Sequence, residues 1–402
     1  MQDNIKHAIS SKLFSNFLVF FLLVIGFFTF IKNYNSLDTI PHGINEFLGN
    51  GYFGWFDQGE YLKMAIDMSE FTLNHERFLY GPGYPIIGSI GIWLGLAKID
   101  PFLCGGVMIY SLSIIAVYLS VKTLLNESKY KYIFSLMGVA IYIFLTPVLE
   151  NTIVPWNSTI NLLVISILLI ITSTKEHLTY KLLILFSILT AWVFSARYVD
   201  VVWFFILVLF YIIITEYQDC KILLRKILFF SLSLIVFITP ILYLNKTYFG
   251  EIYNTPYINH KDETGGNDQE VSRYSPKYIL PSLQSIFLGT NSGVNTKLFP
   301  KTYVNESNIN SNYPGLIIKY PWMLVYLISI VYFVIMKNKY LSILNGVVAI
   351  SFLFYSSFPA FTGFNVIYGC LHYTKAWFPI MIITTIVFIA EVFFIVSKRN
   401  VK

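Results

Sequence analysis

The chain has few charged residues for its length. Of its 402 residues, 12% are charged and 56% are hydrophobic, and the mean hydropathy is +0.63. A soluble protein of this size could not bury so much apolar surface, so the composition predicts a chain solvated by lipid. No segment of about ten residues alternates between apolar and polar positions as membrane β-barrel strands do. We therefore expect an all-α polytopic membrane protein.

The sequence also lacks the spacings that mark several kinds of site. Its three cysteines, Cys104, Cys220 and Cys370, form no Cys-x-x-Cys pair and no cluster with histidine, which argues against structural zinc and a disulfide framework. There is no Gly-x-Ser-x-Gly motif and no glycine-rich phosphate loop, so we do not expect a serine hydrolase or direct use of a nucleotide sugar. No metal ligands are predicted, a divalent metal has no support in the sequence, and the cofactor stays unknown.

The net charge of +6 does not point to nucleic acid. The basic residues lie in short loops between apolar runs, and no basic patch is interleaved with aromatic side chains that could stack on bases. Such a distribution is typical of membrane proteins, whose positively charged loops face the cytoplasm. We expect membrane lipids, and no nucleic acid, as partners.

Eleven apolar runs are candidate spans. They cover residues 14–31, 84–98, 103–124, 132–149, 153–173, 182–196, 199–215, 227–244, 316–336, 340–358 and 376–396. If the short run 84–98 lies at the interface without crossing, the basic loops share the side of the N-terminus, which the positive-inside rule makes cytoplasmic. We therefore predict about ten transmembrane helices plus one interfacial or re-entrant helix, in a single membrane domain of residues 1–402. The long polar loops 32–83 and 245–315 then lie outside.

Asp57 stands in the first of these outer loops, soon after the first span. Trp55, Phe56 and Tyr61 flank it, and aromatic residues of this kind concentrate at membrane–water interfaces. A carboxylate pressed against the bilayer surface is partly desolvated, which raises its pKa and makes it a useful general base. Glu60 follows one helical turn later and could assist it. The alternative for both acids is an ordinary solvated charge.

Residues 57–65 read Asp-Gln-Gly-Glu-Tyr-Leu-Lys-Met-Ala, and residues 80–85 read Tyr-Gly-Pro-Gly-Tyr-Pro. Together they resemble the first outer loop of the GT-C superfamily of integral-membrane glycosyltransferases, and within it the group similar to protein O-mannosyltransferases. The resemblance implies a GT-C-like fold and the transfer of a sugar from a polyprenyl-phosphate donor to a hydroxyl or amine. It also implies that Asp57 is the base. Many members carry Asp-Glu where this chain has Asp57-Gln58, and Lys-Pro-Pro where it has residues 81–85, so neither a metal ion nor a phosphate-gripping lysine is carried over.

A leaving polyprenyl phosphate gains negative charge in the transition state, so such a site needs cations. Arg197, at the outer end of a predicted span, and Arg77, just before Tyr80, are the candidates for the phosphate. Tyr61 and Tyr80 are predicted to contact the substrate. The alternative for both arginines is an interface anchor, and for Arg197 also an ion pair with Asp200.

Three further polar residues lie at outer span ends. His372 and Lys375 precede the last apolar run, and Glu150 follows the run 132–149. Related transferases often carry basic or aromatic residues just before the last span, and a second acidic residue near the position of Glu150. The resemblance therefore implies that all three bind substrate, and an unremarkable interface position is the alternative for each.

Taken together, the residues and the resemblance predict a glycosyltransferase at the outer face of a prokaryotic cytoplasmic (inner) membrane. Its donor would be a polyprenyl-phosphate-linked sugar, and its acceptor a cell-envelope glycan, lipid or protein. An O-antigen or polysaccharide polymerase or ligase is the first alternative, although such proteins depend more on arginines in outer loops. A flippase or transporter is a second, and it would need ionisable groups near the midplane and paired broken helices.

Overall fold

The computed structural model describes residues 2–37, 51–54, 56–72, 80–96, 100–174, 178–250, 252, 275–290, 313–357 and 365–399. Within these ranges the chain is helical and has no strand. The helices are α1 (Gln2–Ser36), α2 (Phe56–Ser69), α3 (Pro85–Trp93), α4 (Leu103–Leu124), α5 (Lys131–Ile143), α6 (Thr146–Ile153), α7 (Thr159–Thr174), α8 (Tyr180–Ala196), α9 (Val201–Glu216), α10 (Cys220–Phe249), α11 (Ile279–Leu288), α12 (Leu316–Lys319), α13 (Trp322–Ile335), α14 (Lys339–Ser356), α15 (His372–Thr374) and α16 (Phe378–Arg399). A π-helical stretch, Asn365–Leu371, precedes α15.

Six helical segments in the described part of the chain are long and apolar enough to cross a membrane. They are Phe17–Ser36, Leu103–Leu124, Tyr198–Glu216, Cys220–Tyr248, Lys339–Ser356 and His372–Ile395. Helices α5 and α6, bent by 58° at their junction, make a seventh if they form one span. The protein is thus a multi-pass helical membrane protein, with fewer qualifying spans than the ten predicted. The difference arises because α7, α8 and α13 are apolar but shorter.

The predicted uninterrupted run 132–149 is wrong in one respect, because the chain breaks between α5 and α6. Pro147 stands in the first turn of α6. It has no backbone N–H to donate to the carbonyl four residues earlier, and its ring clashes with that carbonyl, so α5 cannot continue through it. The next predicted run, 153–173, is also shortened, because α7 begins only at Thr159.

Three helices that follow short loops have an N-terminal cap formed by a side chain. Asp219 accepts hydrogen bonds from the backbone N–H groups of Lys221 and Ile222 at the start of α10. Asn338 and Thr179 do the same for α14 and α8. An oxygen at this position satisfies a backbone donor that the first helical turn leaves open. These caps therefore define where each helix begins after a tight connection.

Helix α4 and the last span form the centre of the bundle. The windows Leu103–Leu124 and His372–Ile395 are each 61% buried, whereas Cys220–Tyr248 is only 11% buried. Helix α4 contacts α1, α5, α7 and α16, while α10 packs against α8 and α9 at the periphery. At about 1.5 Å per residue, the 22 residues of α4 span roughly 33 Å, enough for the hydrocarbon core.

The two long polar loops contain helices. Loop 32–83 carries α2, so the expectation that Glu60 and Tyr61 follow Asp57 on a helix is confirmed. The short run 84–98 forms α3, of nine residues, which packs along α2. In loop 245–315, α10 extends to Phe249 and α11 follows further on, and most of the remaining loop lies outside the described residues.

Candidate active site

Asp57 is the second residue of α2 and is half-buried. The hydroxyl of Tyr80 donates a hydrogen bond to its Oδ1 over 2.5 Å. Short bonds of this kind are typical when the acceptor is an ionised carboxylate. The start of a helix also favours negative charge, because the first backbone N–H groups point toward it. The predicted acid and the predicted aromatic motif therefore meet directly.

Tyr61 lies at the centre of the surrounding aromatic cluster. Its ring centroid is 4.9 Å from that of Tyr80 and 5.6 Å from that of Tyr84, and its side chain is fully buried. Burial, and then the negative charge of Asp57, raises the pKa of Tyr61 well above its ordinary value, while Arg197 acts in the opposite direction. Tyr80 has a raised pKa for the same first two reasons. Both hydroxyls stay protonated at neutral pH, so they act as hydrogen-bond donors.

Arg197 reaches the same cluster from the end of α8. Its guanidinium lies 3.7 Å from the ring centroid of Tyr373, close enough for a cation–π interaction. Its Nη1 is 3.3 Å from the carboxylate of Asp200, which is completely buried. That carboxylate also accepts hydrogen bonds from the Tyr355 hydroxyl and the Asn161 amide. The ion pair with Asp200, which the sequence offered as the alternative to phosphate binding, is present and is part of a larger buried network. The predicted contact of Arg197 with phosphate stays a prediction.

These contacts bring Asp57 and Arg197 to one cluster although they are far apart in the chain. Charges on both residues act on the hydroxyl of Tyr61, and Tyr373 acts on Tyr61 and Tyr80 alike. We call the group Asp57, Tyr61, Tyr80, Arg197 and Tyr373 the tyrosine cluster. A carboxylate and a guanidinium thus lie around a shared set of tyrosine side chains.

A close-fitting turn makes this meeting possible. The backbone N–H of Gly83 donates to the carbonyl of Ser195 over 3.2 Å, and the indole of Trp192 donates to the Gly83 carbonyl over 2.7 Å. A Cβ on Gly81 would lie only 1.8 Å from the Ser195 carbonyl oxygen. Only glycine allows so close an approach. The turn after Tyr80 is therefore held against the end of α8, next to Arg197.

Glu60 lies beside the cluster and is bound to a neighbour on its own helix. Its carboxylate is 2.7 Å from Nζ of Lys63, and the Lys63 side chain is 38% exposed. Ion pairs this exposed contribute about 0–1 kcal/mol. The charge of Glu60 acts on Tyr80, so Glu60 is near the acid without sharing a described hydrogen bond with it.

His372 and Lys375 are buried behind the cluster, against the connection between α6 and α7. The ring of His372 stacks on Trp156 with centroids 4.2 Å apart. Lys375 donates to the carbonyl of Asn151, and to the hydroxyl of Thr159 over 2.7 Å. Their predicted role in substrate binding stays a prediction, since every described contact of Lys375 is with the protein interior.

Glu150 occupies a separate place in the middle of α6. The described groups that interact electrostatically with it are Lys319, Tyr313 and Tyr320. Lys319 also donates to the hydroxyl of Thr146 over 2.9 Å. The described contacts therefore group Glu150 with α12 and the residues around it. Arg77 and Trp55 lie outside the described residues.

Asp100 is a buried acid that sequence reasoning missed. It accepts hydrogen bonds from the hydroxyls of Tyr52 and Tyr34 and from the backbone N–H of Phe102. Burial raises its pKa from an ordinary value near 4 to about 6, although these bonds lower it. Its only local signal is its position before Pro101, at the entry to α4. It ties the chain before α2 to the start of the central helix.

The described part of the bundle also contains an apolar cavity of about 630 Å³. Side chains of α1, α3, α4, α7 and α8 line it, among them Cys104 and Trp192. Other lining residues are substantially exposed, including Leu94 at 65% and Met108 at 66%, so the cavity opens toward the surrounding lipid. Because Trp192 also holds Gly83, the groove runs up to the turn that follows Tyr80.

Within the described ranges, no group of three His, Cys, Asp or Glu side chains is placed to hold a metal ion. Comparison with protein-family models, curated proteins and solved structures finds no match to this chain. The chemistry open to the site must therefore be argued from its geometry. A carboxylate can accept a proton, an arginine can hold an anion, and the adjoining groove can hold an apolar chain.

Proposed function

We propose that this protein is a GT-C-like glycosyltransferase that takes a sugar from a polyprenyl-phosphate donor. The observation that carries the proposal is that Asp57 and Arg197 lie in one cluster, and that Trp192, which lines the groove open to lipid, binds the turn after Tyr80. A polyprenyl-phosphate sugar has three matching parts. Its apolar chain suits the groove, its phosphate suits Arg197, and its anomeric carbon would then lie near Asp57.

The reaction assigns one task to each charged group. Asp57 accepts a proton from the hydroxyl or amine of the acceptor as that atom attacks the anomeric carbon. The bond between this carbon and the phosphate oxygen breaks, and its electron pair leaves on polyprenyl phosphate. Arg197 stabilises the charge that develops there, since electrostatic groups fixed in advance lower such barriers. Tyr80 keeps Asp57 oriented through its hydrogen bond. The attack inverts the anomeric configuration.

The arrangement of helix ends supports an outer site. The six long spans, the bent pair α5–α6 and the shorter α7, α8 and α13 together number ten. With the N-terminus in the cytoplasm, α2, the end of α8 and the end of α14 then lie outside. These are the ends that carry Asp57, Arg197 and Tyr355. The basic loops fall on the opposite side, as the positive-inside rule requires for a cytoplasmic membrane.

The groove also favours an enzyme acting on a lipid-linked substrate over a transporter. Its volume falls in the range of about 300–1,000 Å³ that is usual for small-molecule sites. A transporter built on inverted repeats would place paired broken helices around a midplane site. The described part of the chain contains one sharply bent pair, α5–α6. The acceptor in this proposal is a cell-envelope glycan, lipid or protein.

The test is donor turnover by purified protein in lipid nanodiscs. A panel of polyprenyl-phosphate sugars is supplied with envelope acceptors, and release of polyprenyl phosphate is followed. Asp57→Asn should lower the rate about 10²–10⁴-fold, the usual contribution of a general base, and should leave donor binding intact. Glu70→Gln, an exposed acid just past the other end of α2, is the matched control and should retain full activity.

Two results would contradict the proposal. Normal turnover per folded molecule in Asp57→Asn, with Glu60→Gln inactive instead, would assign the base to the next turn of α2. Normal turnover in both variants would overturn the assignment of this cluster as the active site.

A further inference from the structure

The connection between α6 and α7, residues 154–158, is buried along its whole length. Connections usually run over the surface, because buried irregular backbone leaves polar groups to be satisfied. Within membrane depth, non-helical backbone is tolerated where protein surrounds it or where it lines a cavity. We call these five residues the buried connector. Their buried polar groups therefore need hydrogen-bond partners within the protein.

Three side-chain hydrogen bonds tie the buried connector to other parts of the bundle. Gln58 Nε2 donates to the carbonyl of Pro155 over 3.3 Å. Asn157 Nδ2 donates to the carbonyl of Ala196 over 3.3 Å, and Ser158 Oγ donates to that of His372 over 2.8 Å. The two residues of each pair are 97, 39 and 214 positions apart in the chain, so none of these bonds is local.

Each of these bonds ends one residue away from the tyrosine cluster. Gln58 follows Asp57, Ala196 precedes Arg197, and His372 precedes Tyr373. The Gln58 side chain is 1% exposed, so water cannot replace its bond. The stacking of Trp156 on His372 adds a fourth contact at the same place. One short segment therefore contacts three of the four pieces of chain that meet at the cluster.

We infer that the buried connector positions Asp57, Arg197 and Tyr373 relative to one another, with Gln58 and Asn157 as positioning residues. Its described hydrogen bonds reach the residues next to Asp57 and Arg197, so we expect its effect to be on the spacing of the two charged groups. A buried polar group that loses its hydrogen-bond partner is destabilising, so loss of this bond favours a shifted α2. The inference uses the proposed function only to identify these residues as the active site.

The experiment measures a distance instead of an activity. Spin labels are placed at Glu70→Cys, just past the end of α2, and at Val199→Cys, two residues beyond Arg197, in a background without the three native cysteines. Both positions are exposed. Pulsed dipolar spectroscopy in nanodiscs, without substrate, then reports the distance distribution between α2 and the end of α8.

Two variants at Gln58 separate the hydrogen bond from the packing. Gln58→Met keeps the length of the side chain but cannot donate, so its distribution should be broader than that of the wild type at neutral and at mildly acidic pH. Gln58→Glu should be broad at neutral pH, where carboxylate faces carbonyl. It should recover at acidic pH, because the protonated carboxyl group again donates to Pro155.

Other ionisable groups near this bond must be separated from its effect. Asp57, Glu60 and Tyr61 lie on α2, and His372 and Arg197 approach from the other side. All of them are common to the wild type and both variants. The wild-type distribution at the two pH values therefore reports their contribution, and the recovery of Gln58→Glu is read against it.

The matched control is Ser166→Ala. It removes a buried hydrogen bond of Ser166 to its own helix, to the carbonyl of Leu162, and should leave the distribution unchanged. Asn157→Ala removes the bond to Ala196, next to Arg197, and should also broaden the distance distribution between the same two labels. This variant replaces a Gln58 variant that fails to fold. A wild-type distribution in folded Gln58→Met or in folded Asn157→Ala would overturn the inference. Because no substrate is present, that result would not contradict the proposed reaction. Conversely, a protein that shows the expected distances but no activity would contradict the reaction and not the inference.

Discussion

The ion pair between Arg197 and Asp200 offers the sharpest test of how the site is built. We expect Asp200→Asn to destabilise the protein by about 3 kcal/mol. The Asp200 side chain is 0% exposed and that of Arg197 is 14% exposed, so little water can solvate the arginine once its partner is neutral. Removing one member of a buried pair costs about 3–5 kcal/mol, because the other charge is left uncompensated.

The other donors around Asp200 place the expected value at the lower end of that range. Asparagine keeps one oxygen, which can still accept the Tyr355 hydroxyl. Its amide group, however, would face the amide of Asn161 and the guanidinium of Arg197, which are donors themselves. One good bond therefore survives, and two are replaced by contacts between donors.

The measurement is equilibrium unfolding of wild type and variant in mixed micelles, compared at the same detergent composition. Glu60→Gln is the matched control, since the Glu60–Lys63 pair is partly exposed and should cost less than about 1 kcal/mol. If Asp200→Asn cost no more than this control, the buried network around Arg197 would contribute nothing beyond an exposed ion pair. The structural account of the arginine would then be refuted.

Three further predictions concern sidedness, the groove and Asp100. An impermeant maleimide should label Glu70→Cys and not Ser128→Cys in intact cells, and labelling of the second alone would reverse the orientation. A lipid-soluble maleimide should modify Cys104, which lines the groove, more slowly when polyprenyl phosphate is bound. The exposed Cys220 is the internal reference, and an unchanged ratio of the two modification rates would contradict binding of the lipid chain in the groove. The contribution of Asp100 to stability should fall by about 3 kcal/mol as pH rises from below about 4 to above about 6, because the folded-state pKa of Asp100 is raised to about 6 and its ionised form is penalised on folding. In Asp100→Asn this slope should disappear, and a slope that persists would assign the titration to another group.

Much of the candidate site could be predicted because its signals are local. Asp57 stands among interface aromatics, and the polar spacing after it is compatible with the helix that forms. Arg197 ends an apolar run, so alternation of span direction places it on the same side as Asp57. The sequence thus indicates which helix ends share a face of the membrane. It does not indicate which of those ends touch.

The residues that surround the Arg197–Asp200 pair could not be predicted, because each comes from a different helix. Asn161 lies at the start of α7, Tyr355 at the end of α14, and Tyr373 in α15. A tyrosine at the end of an apolar run has the same local pattern whether it binds a buried carboxylate or faces the lipid headgroups. Only tertiary packing distinguishes the two. Asp100 was missed for the same reason, since its tyrosine partners lie 48 and 66 residues earlier.

The break between α5 and α6 is a different kind of failure. Pro147 was visible in the sequence, and a proline inside an apolar run often ends or kinks a helix. The run remained apolar on both sides of it, so hydropathy alone indicated one continuous span. The bend has a consequence for the site, because it leads through the short α6 into the buried connector. A straight α5 would carry the chain past the point at which residues 154–158 meet Gln58.

The charges of the site bear on how a lipid-linked donor would be held. Asp57 and Asp200 carry negative charges near the positive charge of Arg197. A phosphate arriving at this arginine would therefore compete with Asp200 and would be repelled by both carboxylates. Burial of apolar surface contributes about 0.8 kcal/mol per methylene, so a long chain in the groove can outweigh that repulsion. In the proposed reaction the lipid chain would therefore provide most of the affinity, and Arg197 would stabilise the additional charge that the phosphate gains as the bond to the sugar breaks.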